Sequence, residues 1–188
     1  MRILRLENFL IMKNIILLFL IAFVFCFAQC KKSNVDSNGL PAPTQDGKNT
    51  IGFLLDGQPW KPQGNNGTAN LSIDFDAGIN NGIFSITAYK IINSTGRQRF
   101  GLGVKDSLNS ATIPKVYNLG NTTLFGVAYA DDVCTYDYFD STIIRNGTLT
   151  ITKLDRTNRI ISGTFNATLN KTGCTEVKIT DGRFDMKF

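Results

Sequence analysis

From residue 50 onward, apolar residues occupy alternate positions in several short segments, and turn-forming residues separate those segments. The alternation is clearest over residues 71–76, 148–152, 161–169 and 184–188. Successive side chains of a β-strand point to opposite faces of its sheet, so this period of two predicts strands that bury one face. Short turns such as Asp56-Gly57 require antiparallel neighbours, because a parallel crossover needs a dozen or more residues. We therefore predict that residues 50–188 form a single all-β domain, an antiparallel β-sandwich or barrel of about 8–10 short strands.

An apolar segment precedes this domain. Residues 15–28 are all apolar, and three basic residues lie before them, Arg2, Arg5 and Lys13. The segment is shorter than the roughly 20 residues that a transmembrane helix needs, and its length and basic flank are typical of a signal peptide. Met12 opens a more compact signal than Met1, so Met12 is an alternative candidate for the true start. We predict that residues 1–29 are a helical signal peptide that is removed from the mature protein.

Cys30 follows the apolar segment after Phe27-Ala28-Gln29, the position at which bacterial lipoproteins carry the cysteine that receives lipid. The alternative is an ordinary secretory signal that is cut elsewhere. Several acyl chains on Cys30 would hold the protein firmly, since each buried CH₂ group contributes about 0.8 kcal/mol. Residues 30–49 are mostly polar residues, glycine and proline, which predicts a flexible tether. We expect an anchor in the outer membrane, with the face of that membrane left open.

The charge of the chain is mild. The sequence has 20 basic and 15 acidic residues, and the signal peptide holds three of the basic ones and one of the acidic ones, which leaves a mature net charge of +3. Nucleic-acid binding requires a stronger basic surface, so no nucleic-acid partner is predicted.

Two further cysteines, Cys134 and Cys174, lie in the domain. An even pair in an oxidising compartment predicts a disulfide, and closing a loop of this length should stabilise the fold by about 3–4.5 kcal/mol. Two separate buried thiols are the alternative. Their spacing does not fit a CxxC redox or zinc motif.

The sequence contains no histidine. This absence excludes Ser-His-Asp and Cys-His catalysis and removes the commonest ligand of catalytic zinc. Residues 74–80 place oxygen-bearing side chains at alternate positions, but Gly78 and Ser85 stand where a calcium loop needs ligands. No nucleotide-binding or nucleophile motif is present. We therefore predict no catalytic residue, no metal and no cofactor, and a protein that is not an enzyme.

Residues 116–144 combine aromatic and acidic residues and contain no lysine or arginine. Aromatic rings beside carboxylates are typical of surfaces that bind sugars or cations. The alternative is that the rings fill the core and the carboxylates lie in solvated turns. The residues of the candidate ligand surface are Tyr129, Asp131, Asp132, Tyr136, Asp137 and Tyr138.

Two parts of the chain carry longer motifs. The first comprises residues 39–50, Gly52-Phe53-Leu54 and Asp56-Gly57-Gln58-Pro59-Trp60, and the second comprises residues 147–155, 161–165 and 179–185. Together they resemble a Bacteroidota lipoprotein family that is catalogued as a domain of unknown function. The resemblance covers most of the chain after residue 39, implies a cell-envelope lipoprotein and assigns no catalytic residue. Lys31-Lys32-Ser33-Asn34 differs from the acidic residues that surface-exported lipoproteins of that lineage carry after the lipidated cysteine.

These observations predict a non-enzymatic binding or structural module that is attached to the cell-envelope membrane through Cys30. A glycan or another envelope protein is the expected partner. Two alternatives stay open at this point. A β-barrel carrier of a small apolar ligand would enclose a cavity of about several hundred Å³. A carboxylate-based hydrolase would bring two acids into one cleft.

Overall fold

The computed structural model describes residues 35–65, 67–92, 96–120 and 125–188. Over these residues the chain forms eleven strands and no helix. The strands are β1 (Thr50–Leu55), β2 (Gln58–Trp60), β3 (Leu71–Asp76), β4 (Ile83–Ile91), β5 (Arg97–Val104), β6 (Lys115–Asn118), β7 (Phe125–Ala130), β8 (Thr135–Tyr136), β9 (Ile144–Asp155), β10 (Ile160–Asn170) and β11 (Val177–Lys187). The expected signal helix, Cys30 and residues 31–34 lie outside the described residues, so the statements about them stay predictions.

The strands form two antiparallel sheets that pack face to face as a sandwich. The strand order is β2-β1-β11-β10-β9-β6 in the six-stranded sheet and β3-β4-β5-β7-β8 in the five-stranded sheet. The sheets are not closed into a barrel, so the predicted all-β fold is confirmed in its sandwich form. The hairpin of β1 and β2 forms over Asp56-Gly57 as predicted, whereas β8 contains two residues, too few for the sequence to show alternation.

Aromatic rings from both sheets fill the space between them. Phe53 and Phe165 of the six-stranded sheet contact Phe100 of the five-stranded sheet, with ring centroids 4.6 and 5.3 Å apart. Phe84 and Phe184 join the sheets in the same way at 6.0 Å. All five side chains are buried. Since burying a phenylalanine contributes about 1.5–3 kcal/mol, this aromatic layer is a main source of the fold's stability.

Residues 35–49, which we call the strap, lie against the outer face of the six-stranded sheet. Leu40 is fully buried, and Pro41 packs so closely on β1 that a Cβ at Gly52 would lie 2.5 Å from its ring. Asp36 forms an ion pair of 2.6 Å with Arg183 of β11. The sequence predicted a flexible tether as far as residue 49, whereas the structure includes residues 35–49 in the folded domain. Polar residues of the strap have partners on β11, and composition alone does not reveal such partners.

Candidate functional site

The candidate ligand surface falls on one loop and the strand before it. Residues 131–143, which we call the acidic loop, run from β7 to β9 and include β8. Five of the six candidate residues lie in the acidic loop, and Tyr129 lies in β7. The structure can therefore show which of the six side chains face solvent together.

Tyr129 and Tyr136 do not reach the surface. Their exposed fractions are 2% and 1%, and both side chains belong to the core between the sheets. The Tyr136 hydroxyl donates a hydrogen bond to the carbonyl oxygen of Thr175, so the polar end of this buried side chain is satisfied. Burial raises the pKa of Tyr129, and the nearby charge of Asp131 adds to that effect. These two rings are core residues rather than parts of a binding surface.

Asp131 and Asp132 hold the backbone of the acidic loop. The Asp131 carboxylate accepts hydrogen bonds from the N–H groups of Val133 and Cys134, at 2.9 and 2.8 Å. The Asp132 carboxylate accepts one from the backbone N–H of Arg97 on β5, at 3.2 Å. The two Asp131 bonds are local and typical of aspartate in turns, whereas the Asp132 bond attaches the loop to β5. Both carboxylates therefore serve the conformation of the loop, as the alternative interpretation of this segment expects.

Asp137 and Tyr138 lie over the outer face of β5 and β7. The Asp137 carboxylate is 3.5 Å from the guanidinium of Arg99 on β5. The Tyr138 side chain lies on Gly101 and Gly126, because a Cβ at these glycines would be 2.6 and 2.8 Å from it. Burial raises the pKa of Tyr138. Any larger residue at either glycine would displace the tyrosine, so the close contact requires glycine.

The predicted disulfide between Cys134 and Cys174 is confirmed, with their Cα atoms 6.1 Å apart. The bond joins the acidic loop to residues 171–176, the turn between β10 and β11. Lys171 in that turn forms an ion pair of 3.0 Å with Asp140 and donates a hydrogen bond of 3.0 Å to the carbonyl oxygen of Thr135. The acidic loop is therefore attached to a neighbouring hairpin as well as to its own sheet.

Arg145 supports the acidic loop, although no sequence pattern singles it out. It lies on β9 just after the loop and is only 8% exposed. Its guanidinium donates hydrogen bonds to the backbone carbonyl oxygens of Asp137, Asp140 and Ile143. Burial lowers the pKa of Arg145, and the charges of Asp140 and Asp137 oppose that effect. In a sequence, such an arginine cannot be distinguished from one on a solvated surface.

The acidic loop leaves two large apolar side chains in solvent. Val133 is 89% exposed and Phe139 is 82% exposed. The ammonium group of Lys105 lies 3.9 Å from the centroid of the Phe139 ring, a cation–π contact. Single exposed apolar residues are normal on protein surfaces, so these two do not by themselves define a ligand surface.

Neither a metal site nor a membrane-spanning helix is present among the described residues. In that part of the chain, no group of three or more acidic, cysteine or histidine side chains is arranged to hold a metal ion. The Asp76 carboxylate instead accepts a hydrogen bond of 2.7 Å from the N–H of Gly78, a turn contact. Over the same ranges, no helix has the length and apolar character that crossing a membrane would need.

A groove of about 480 Å³ lies at one edge of the sandwich, between β1 and β3. β2 pairs only with residues 53–55 of β1, so residues 50–52 have β11 on one side and the groove on the other. β3 is the edge strand of the five-stranded sheet and has β4 on its inner side. The groove therefore lies between two strand edges, one from each sheet.

Pro62 explains why β2 is short and stops pairing with β1 after Trp60. Pro62 follows β2 and has no N–H group to donate to a ladder, so the strand cannot continue there. The chain then crosses to the other sheet, where Gln63 pairs with Lys90 of β4. This crossing bounds one end of the groove. Beyond the other end, Phe75 and Phe188 stack with ring centroids 3.9 Å apart and join the two sheets.

The groove has an apolar floor and a polar rim. Its apolar lining includes Ile51, Leu71, Ile73 and Met186, and its polar lining includes Asn49, Lys61, Asn70, Ser72 and Lys187. Among the described residues that line it, the charged ones are the two lysines, and neither aspartate nor glutamate is present. Its volume lies within the range of about 300–1,000 Å³ that is usual for small-molecule sites. No local pattern in the sequence indicates this groove, because its lining comes from five separate stretches of the chain.

No protein-family model matches the sequence, no curated protein matches it, and no solved structure matches its fold.

Proposed function

We propose that this chain is a lipid-anchored protein of the bacterial cell envelope, as its resemblance to the Bacteroidota lipoproteins implies, and that its sandwich is a binding module rather than an enzyme. The observation that carries the proposal is the disulfide between Cys134 and Cys174. Disulfides persist mainly in oxidising compartments outside the cytoplasm. A signal peptide that is cut just before Cys30 would deliver the chain to such a compartment.

The position of the strap supports a sandwich held close to the membrane. The folded domain begins at residue 35, shortly after Cys30. The intervening residues, even when fully extended, span at most about 18 Å. An acylated Cys30 would therefore keep Val35, the first residue of the strap, within about that distance of the acylated residue.

The geometry of the groove favours binding over hydrolysis. A carboxylate-based hydrolase needs two acids that face one cleft, whereas the charged side chains lining the groove are Lys61 and Lys187. A carrier with an internal cavity is also less favoured, because aromatic rings fill the space between the sheets. A small ligand would instead bind at the edge of the sandwich.

The experiment is a comparison of the full chain with its Cys30→Ser and Cys26→Ala variants in the native host. We expect the wild-type protein in salt-washed membranes, with acyl chains on Cys30 in the mass spectrum of the mature N-terminus. Cys30→Ser should appear in the soluble fraction, because the acceptor thiol is gone. Cys26→Ala removes a cysteine of the signal segment and is the matched control, which should stay acylated and membrane-bound.

Two results would contradict the proposal. One is a wild-type N-terminus without acyl chains. The other is thiol trapping in rapidly quenched cells that finds Cys134 and Cys174 reduced, which would place the domain in a reducing compartment.

A further inference from the structure

We propose that a pocket beside the edge strand β6 binds a short zwitterionic peptide, with the peptide's ammonium group at Asp106 and its carboxylate at Lys115. The inference rests on the proposed role of the sandwich as a binding module, and it adds a site and the class of ligand. It does not depend on the groove between β1 and β3 or on the lipid anchor at Cys30.

The pocket lies where the edge of the six-stranded sheet meets the five-stranded sheet. Tyr117 of β6 contacts Phe125 of β7 there, with ring centroids 5.0 Å apart. The volume of the pocket is about 420 Å³, within the range of about 300–1,000 Å³ that is usual for small-molecule sites. Its lining comes from the segment after β5 (Asp106, Ser107, Ser110 and Ala111), from β6 (Lys115, Val116, Tyr117 and Asn118) and from Phe125. Both sheets and the connection between β5 and β6 therefore build the pocket.

The aromatic part of the wall includes a polar group without a partner. Tyr117 is 6% exposed, and its hydroxyl group has no hydrogen-bond partner in the part of the chain that the structure describes. Buried polar groups in proteins rarely lack a partner. The rings of Tyr117 and Phe125 offer apolar surface to a ligand, and the wall keeps hydrogen-bonding capacity that the fold leaves unused.

One acid and one base line the pocket, and the fold pairs neither of them. Asp106 and Lys115 are the charged residues among the described residues of the lining. Neither belongs to an ion pair within the described ranges. The ammonium group of Lys115 lies 5.8 Å from the centroid of the Tyr117 ring, on the pocket side of β6. A ligand that carries both charges would complement both groups, whereas a neutral sugar would leave both unpaired.

The size of the pocket favours a dipeptide over a single amino acid. Asp106 and Lys115 do not form an ion pair with each other, so the charges that complement them must also be apart. A sphere with the volume of the pocket is about 9 Å across, and an extended dipeptide spans about 7 Å. The charges of a single amino acid are separated by one carbon atom, so a dipeptide reaches two separate groups more easily.

The segment that carries Asp106 is held in place before any ligand binds. Leu108 in this segment is fully buried in the core. The backbone N–H of Ser107 donates a hydrogen bond of 3.0 Å to the carbonyl oxygen of Asn80. A wall that is already ordered loses little conformational freedom on binding, which favours affinity.

The test uses the full-length protein purified from the native host, in lipid nanodiscs if it is acylated and in buffer if it is not. Calorimetric titrations compare alanylleucine with its N-acetyl derivative, its C-terminal amide and the doubly blocked dipeptide. We expect the free dipeptide to bind at one site. Each single block should weaken binding about threefold and both together about tenfold, because each removes one partly exposed charge pair. Added salt should lower the affinity of the free dipeptide more than that of the doubly blocked one.

Variants assign each charge of the ligand to its partner. Asp106→Asn should weaken alanylleucine binding about threefold and leave binding of the N-acetyl derivative unchanged, because that derivative has no ammonium group. Lys115→Gln should have the corresponding effect, with the C-terminal amide as the unaffected ligand. Asp74→Asn and Lys178→Gln are the matched controls: they change exposed residues outside the pocket and should have no effect. The blocked dipeptides probe the unmodified protein, so the test stays decisive if a variant does not fold.

Four results would overturn the inference: no binding of alanylleucine, equal binding of the free and doubly blocked dipeptides, an Asp106→Asn loss that is as large for the N-acetyl derivative, or losses that the control variants reproduce. Binding of methyl glucoside in the absence of dipeptide binding would also overturn it and would assign the pocket to glycans. None of these results bears on acylation of Cys30, and a failure of anchoring changes only the medium of the titrations. The two proposals can therefore fail separately.

Discussion

Asp185 shows how one residue can organise the contacts of a whole segment. It lies on the outer face of β11 beneath the strap and is 2% exposed. Its carboxylate accepts hydrogen bonds from the Ser162 hydroxyl and from four groups of the strap, the Thr44 hydroxyl and the backbone N–H groups of Asp46, Gly47 and Lys48. Burial alone would raise the pKa of Asp185, but these hydrogen bonds outweigh it and hold the pKa below its ordinary value.

We expect Asp185→Asn to lower the free energy of unfolding by about 2–3 kcal/mol, because the side-chain NH₂ group would face donors of the strap. Urea unfolding followed by the fluorescence of Trp60 measures this loss. Asp181→Asn is the matched control: it lies on the same strand, is exposed and has a positive φ of 52° that asparagine tolerates. The control should stay within about 0.5 kcal/mol of the wild type, and equal losses in both variants would contradict the prediction.

Individual residues also differ in how far a sequence reveals their role. The disulfide between Cys134 and Cys174 was predictable, because an even pair of cysteines behind a predicted signal peptide usually forms a disulfide. Tyr129 is a candidate for the ligand surface and, under the alternative interpretation, for the core; its alternation with Phe125 and Val127 along β7 favours the core, where the structure places it. Arg145 offered no signal, because its partners are backbone carbonyl oxygens that any loop possesses.

At the scale of elements, the acidic loop is held at several points. The disulfide and the Lys171–Asp140 ion pair attach it to the turn between β10 and β11, and Arg145 holds its backbone. The two cysteines are separated by 40 positions. A crosslink over such a length mainly restricts the unfolded chain.

Replacing both cysteines (Cys134→Ala with Cys174→Ala) should therefore lower the free energy of unfolding by about 3–4 kcal/mol. The folded acidic loop should keep its place through Lys171 and Arg145. Urea unfolding measures the free energy, and hydrogen exchange over residues 131–143 reports whether the loop opens. A loss below about 1 kcal/mol, or complete exchange of the loop in the folded variant, would show that this account of the disulfide is wrong.

The sequence predicts the long strands, but it does not predict that the strap is ordered. Over β10, Ile161, Phe165 and Leu169 are buried as their alternation predicts. The strap shows no alternation of apolar and polar residues. It is ordered instead by hydrogen bonds to Asp185 and by the contact of Pro41 with β1. Order of this kind depends on the partner surface, so the composition of the segment predicted a tether instead.

The stability of the folded domain should depend on pH through the aspartates and tyrosines whose pKa values differ from the ordinary ones. Hydrogen bonds donated by Thr142 lower the pKa of Asp140 to about 2, and hydrogen bonds from Asn158 lower the pKa of Asp155. At the basic end, burial raises the pKa of buried tyrosines such as Tyr129. The sequence contains no histidine, so no imidazole titrates between these ranges.

We expect the free energy of unfolding to be flat between about pH 5 and pH 8. Carboxylates with a lowered folded pKa bind fewer protons than the unfolded chain as the pH falls, so stability should decrease below about pH 4, the ordinary carboxyl pKa, and continue to decrease toward pH 2. The buried tyrosines should reduce stability above about pH 10, where the unfolded chain ionises first. Urea unfolding across this range checks the profile, and a slope centred near pH 6.5 would contradict it.

Local patterns were enough to predict the all-β class and the antiparallel pairing and to favour the disulfide, because alternation, turn length and cysteine content can be read from short stretches of the chain. The three-dimensional fold was needed to show that the sheets form a sandwich, that the strap is part of the domain and that a groove opens between β1 and β3. Each of these depends on contacts between distant segments, such as the hydrogen bond between Thr44 and Asp185, which are 141 positions apart. No local pattern encodes which distant polar group will be the partner, because the two segments meet only when the domain has folded.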